Sequence, residues 1–171
     1  MVRRLALLMA GAAALTVMNV APANAEDTTT TFTVTAGALS IAVPAAVTIG
    51  SGAPGTTITG QLGTVTVTDL RGANPAAWTA TVSATDFAAT GVPAIPASAV
   101  TYTPGDATST VGDGTFTPGT AGPLSTTPIT AFSHTAGTGS NAAGWNPTLA
   151  MAVPNTATAV DYTGTVTHLV A

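Results

Sequence analysis

The sequence predicts an all-β fold: a single antiparallel β-sandwich, Ig-like or similar, made of short threonine-rich strands. Three observations predict it. Beyond the first 25 residues, apolar and polar side chains alternate with period two through most of the chain. Clusters of Gly, Pro, Asn and Asp interrupt these runs at short intervals, and no window there carries an apolar stripe at the 3.6-residue helical period.

The strands are expected at Thr31-Phe32-Thr33-Val34-Thr35, Leu62 to Thr68, Trp78 to Thr85 and Tyr162 to Val170. Strict alternation marks half-buried strands, and threonine suits their wet face because its branched Cβ fits the pleat while its hydroxyl is solvated. Turns are expected at Gly50–Gly55, Gly72-Ala73-Asn74-Pro75, Pro104-Gly105-Asp106, Gly112-Asp113-Gly114, Pro118-Gly119 and the Gly137–Gly144 stretch. Aromatic residues are few, so most should anchor the core. Trp78 shares a strand face with Ala80, Val82 and Ala84.

Composition excludes several classes of function. Charged residues make up 6% of the 171 residues, with three Lys+Arg against seven Asp+Glu and no cysteine. Without a basic patch there is no footprint for nucleic acid. Without cysteine there is no disulfide framework, thiolate metal site or iron–sulfur cluster. No cofactor or metal is expected.

Arg3-Arg4, the apolar run Leu5–Val20 and the small residues of Ala23-Asn24-Ala25 have the layout of a secretory signal peptide, residues 1–25, cut between Ala25 and Glu26. The expected product is secreted or held at the cell surface, and it is not membrane-embedded. Arg71 is then its one basic side chain.

Few residues are candidates for chemistry. Ser133 and His134 are adjacent, so on a strand they face opposite sides and form no nucleophile–base pair. Asp69 and Arg71 share a face at period two. Arg71 is expected to close a turn between two core strands by pairing with Asp69 or Asp86, and a role in gripping a ligand is the alternative. Trp78, Trp145 and His168 complete the candidate binding set. His168 alternates in register with Tyr162, Gly164, Val166 and Val170.

The segment ending DLRGANPAAWTATVSATDF resembles the first signature of WxL-domain proteins: an alternating strand, an Asp-x-Arg-Gly turn, a Trp opening the next strand and an Asp-Phe closing it. Asn146–Ala171 is similar to the second signature, and Phe32–Ile41 fits the family's N-terminal strand. At the two W-x-L positions stand Trp78-Thr79-Ala80 and His168-Leu169-Val170. The resemblance implies a WxL-like β-sandwich over residues 26–171 in a bacterial, actinobacterial-type surface protein. It also implies non-covalent association with the cell wall, peptidoglycan being the ligand, with cell-wall glycan or other surface proteins as partners. The expectation is a non-enzymatic surface protein. The alternative is an adhesive or glycan-binding module whose ligand lies outside the producing cell.

Overall fold

Two long strands that pair with each other carry the architecture. The computed structural model describes residues 26–171, and the expected leader with Ala25 lies outside the described residues. Val34–Ala171 forms one compact unit. It contains β1 (Leu39–Ala42), β2 (Thr57–Gln61), β3 (Val65–Ala84), β4 (Val100–Thr103), β5 (Ala107–Val111), β6 (Thr115–Pro118), β7 (Gly122–Pro123), β8 (Ile129–Trp145), β9 (Thr148–Ala152) and β10 (Val166–Val170). A single 3-10 turn at Ala97–Ala99 precedes β4. The fold is all-β, with two antiparallel sheets packed on each other as in a β-sandwich.

The larger sheet is the β3–β8 ribbon with two strands on each side. β1 pairs with the first part of β3 and β10 with the last, while β6 and β5 divide β8 in the same way. The smaller sheet has the order β2-β9-β4-β7.

The ribbon is folded double. On a straight strand, Phe132 and Trp145, near opposite ends of β8, would lie about 40 Å apart. Their rings instead stack with centroids 4.8 Å apart. The bend falls where the β3–β8 ladder loses its register, between the Asp69↔Asn141 and Trp78↔His134 rungs. Extra residues on either strand make bulges, which sharpen local twist and re-aim side chains. Gly72 and Gly139 take left-handed backbone there (φ 64° and 74°), which glycine adopts without a Cβ clash. The bulges also switch the face that points inward: Val65, Val67 and Asp69 are buried before the bend, and Ala76, Trp78, Ala80, Val82 and Ala84 after it. Both halves of the ribbon therefore turn their buried faces to one core.

The structure corrects four expectations. The strand expected over Tyr162–Val170 is only Val166–Val170. Gly72–Pro75 is a corner inside one continuous strand, not a turn between two. The Gly137–Gly144 stretch is strand, because its glycines sit on ladder rungs opposite β3 and β5. Residues 31–35 belong to no strand, and Phe32 is 85% exposed, unlike Trp78, Phe87, Tyr102, Phe132 and Trp145, which are buried.

Candidate functional site

The candidate residues fall into two buried polar networks, one inside the corner and one between the sheets. At the corner, period-two spacing sets Asp69 and Arg71 side by side. Arg71 Nε donates to Asp69 Oδ1 at 2.9 Å and Nη2 to Oδ2 at 2.8 Å, a two-pronged ion pair. The same Nη2 reaches the Ala77 carbonyl at 2.8 Å. On a straight strand those residues would be about 20 Å apart, so this contact spans the bend. Asp69 is fully buried and also accepts from Asn141 Nδ2 at 3.5 Å. Asn141 Oδ1 in turn accepts the Trp78 indole N–H at 2.7 Å. The Arg71 hydrogen bonds hold the Asp69 carboxyl below the usual aspartate range against the effect of its burial, and Asp69 raises Arg71 in return.

The Trp78 ring packs against Phe132 and His134, and Phe116 stacks on His134 at 4.3 Å. His134 is buried, and its Nε2 donates to the Asp113 carbonyl at 2.9 Å. A Cβ at Gly137 would collide with the His134 ring, so this rung takes a residue without one. Ser133 points to the other face, its hydroxyl donating to the Thr117 carbonyl at 3.4 Å.

Between the sheets, Trp145 Nε1–H donates to Tyr102 Oη at 3.1 Å, and the Tyr102 hydroxyl lies 3.1 Å from His168 Nε2. The Tyr102 hydroxyl thus bridges the Trp145 indole N–H and the His168 imidazole. Burial pushes Tyr102 up to about 12 and His168 down to about 4, because each charged form would lose its hydration. His168 Nδ1 is buried with no hydrogen-bond partner among the described residues. The chain of bonds ties β4 of the smaller sheet to β8 and β10 of the larger.

The structure thus joins Asp69, Arg71 and Trp78 in one network and Trp145 with His168 in the other. Asp86 does not pair with Arg71; its Oδ1 accepts the Ala97 N–H at 2.9 Å and anchors the 3-10 turn. Glu26 is exposed. Sequence reasoning passed over Asn141 and Tyr102. Asn141 was hidden in a glycine-rich run that reads as loop, and its one signal was an amide among small apolar residues. Tyr102 gave no signal, since its partners come from distant strands.

Two surfaces remain. The outward positions of the β10–β3–β8–β6 half-sheet carry Thr167, Thr79, Thr81, Ser83, Thr130, Ser133, Thr135, Thr115 and Thr117, with Leu169 and Ala77 as apolar exceptions. This face has hydroxyls and no charge. The second surface is a groove of about 770 Å³ walled by residues 44–52 and 157–166 and floored by Ile58, Leu62, Phe87, Ile95 and Met151. Asp161 is its one charged lining residue.

Among the described residues, no helix is long and apolar enough to cross a membrane and no group of three or more His, Asp or Glu is placed to hold a metal ion. The chain matches no family model, no curated protein and no solved structure.

Proposed function

We propose that this chain is an exported, non-enzymatic surface domain that associates non-covalently with the cell wall, its hydroxyl face lying against peptidoglycan. The observation that carries this reading is the chemistry of that face. Threonine and serine hydroxyls run in cross-strand rows, such as Thr79–Ser133–Thr117, and offer hydrogen-bond donors and acceptors without charge. A sugar polymer rich in hydroxyl and amide groups is matched by such a surface.

The placement of the other candidates supports the reading. Asp69, Arg71, Trp78, Trp145 and His168 are committed to internal bonds, so they brace the scaffold that presents the face. The leader-like residues 1–25 and the WxL-like signatures agree with export and surface retention. The adhesive alternative uses the same face on a ligand outside the cell.

Sedimentation with purified cell wall tests the proposal. Thr79→Glu combined with Thr117→Glu places two carboxylates on the face, at exposed positions that leave the core intact. The bound fraction is expected to fall at least tenfold with the melting temperature unchanged. Unaltered binding by this variant refutes the proposed face. Wall-bound protein released by denaturant favours retention, and protein found wholly in the medium favours the adhesive module.

A further inference from the structure

The groove and the unpaired N-terminal segment are complementary in three ways. The first is backbone. Among the described residues, 44–52 make no backbone hydrogen bond and belong to no strand, although they form one wall of the groove. A wall with unspent N–H and C=O groups, here interrupted by the bend at Ala45 and the left-handed Gly50, is a template for a short added strand. Residues 26–36 are equally unpaired.

The second is side chains. In Thr31–Thr35, Phe32 and Val34 alternate with threonines, and at 85% and 83% they are the most exposed large apolar side chains of the described residues. As a strand, the segment would present both on one face. The groove floor of Ile58, Leu62, Phe87, Ile95 and Met151 offers apolar surface to such a face. The third is charge. The groove carries Asp161 and no cation, which disfavours an acidic ligand, and residues 28–36 are uncharged.

The segment's own copy is out of reach. Gly37 N–H binds the Leu70 carbonyl at the corner, so the chain enters β1 at that end. The groove begins at Pro44, beyond the other end of β1. Gly37 to Pro44 along the extended chain is about 23 Å, whereas Phe32 folded back from Gly37 reaches at most about 18 Å. Continuing β1 backwards along β3 does not bury the pair either. Leu39 and Ile41 are the inward residues of β1, so that parity leaves Phe32 and Val34 facing out.

We propose that the groove receives the Thr31–Thr35 segment of a second copy, which adds a strand alongside residues 44–52. Phe32 and Val34 fill the apolar floor. The proposed contact is head-to-tail: each copy in a chain keeps one donor segment and one groove from which the assembly extends. The inference does not depend on wall binding, and the Thr79→Glu, Thr117→Glu variant leaves it intact.

The absence of cysteine gives a clean background for cross-linking. Val34→Cys protein mixed with Val160→Cys protein under oxidation is expected to give a mixed disulfide dimer, at several times the yield of Val34→Cys mixed with Val111→Cys. Val160 lines the groove, and Val111 is exposed elsewhere. The double variant Val34→Cys, Val160→Cys should give a ladder of multimers. Phe32→Asp with Val34→Asp should raise the self-dissociation constant more than tenfold at unchanged melting temperature. A cross-linked monomer from the double variant would overturn the proposal in favour of the segment's own copy. Equal yields from the two mixtures, or a wild-type chain that stays monomeric by light scattering at millimolar concentration, would overturn it altogether.

Discussion

The corner network and the inter-sheet network use similar parts for different ends. Each runs from a tryptophan N–H through a polar side chain to an ionisable group. At the corner the ionisable group is charged and has its counter-ion beside it, so burial is offset by the Arg71 fork. Between the sheets the group is neutral, and burial keeps it so. The corner joins one strand to itself across a bend, whereas Trp145–Tyr102–His168 joins one layer to the other. A buried charge is tolerable where its partner lies two residues along the same strand. A contact assembled from three distant strands is made with neutral groups, which cost less to leave imperfectly paired.

The largest effect should come from emptying the corner. Trp78→Ala removes a buried aromatic and leaves Asn141 Oδ1 without its donor, and urea melts should show a loss of about 3–5 kcal/mol. The same strand should lose little from Thr79→Ala, which faces solvent.

The next effect separates the networks by pH. His168 has a folded pKa of about 4 against an ordinary 6.5, so below pH 6.5 the unfolded chain binds the proton that the folded chain refuses. Stability is full above that value and falls as the pH drops towards 4. Since the ring is only half-buried, the loss should be about 1–3 kcal/mol. His168→Phe should flatten that part of the profile. Asp69, with its pKa lowered, contributes stability above the usual aspartate range that disappears only at lower pH. Melts of wild type and His168→Phe from pH 7 to 3 therefore resolve the two networks as two steps. A wild-type profile flat between pH 6.5 and 4 would remove His168 from the buried chain.

Tyr102→Phe keeps the ring and deletes one oxygen, leaving the Trp145 N–H and His168 Nε2 unpaired. A loss of about 1–3 kcal/mol is expected in chemical denaturation. Arg71→Lys should show the smallest change, about 1 kcal/mol or less, because Arg71 is half-exposed and solvent screens its charge. The lysine keeps a counter-charge beside buried Asp69 but cannot span both Asp69 and the Ala77 carbonyl. Arg71→Ala leaves the buried carboxylate without its partner and should cost clearly more than Arg71→Lys. An Arg71→Lys protein destabilised as much as Trp78→Ala would reverse the ranking and make the ion pair the main brace.

Much of this was legible in the sequence. Alternation identified the faces of β3 and β10, and period two alone put Asp69 beside Arg71. Trp78 with Ala80, Val82 and Ala84 read as inward, and they are. The corner was misread because Gly72, Asn74 and Pro75 carry the same signal whether the chain reverses or only bulges. What decides between them is the strand on the other side, and Gly137–Gly144 looked like a loop for the same reason. Phe32 alternates like any strand residue, but alternation does not say which chain supplies the neighbouring strand. Tyr102–His168 and the groove walls come from segments far apart in sequence, which local pattern does not join.

The folded ribbon also orders the assembly of the domain. Every rung of β3 with β8 is a long-range contact, the nearest in sequence being Val82↔Ile129 and the farthest Val65↔Trp145. Loop-closure entropy favours starting at the near end and zipping through the corner, and a topology without local hairpins between its main strands folds slowly, in milliseconds to seconds. Side chains on the near half, Trp78 and Val82, would then be structured in the transition state, and truncating them should slow folding. Val65 and Val67, beyond the bend, would dock afterwards, and truncating them should speed unfolding instead. The corner is thus the point at which an incomplete ribbon becomes committed to closing on itself.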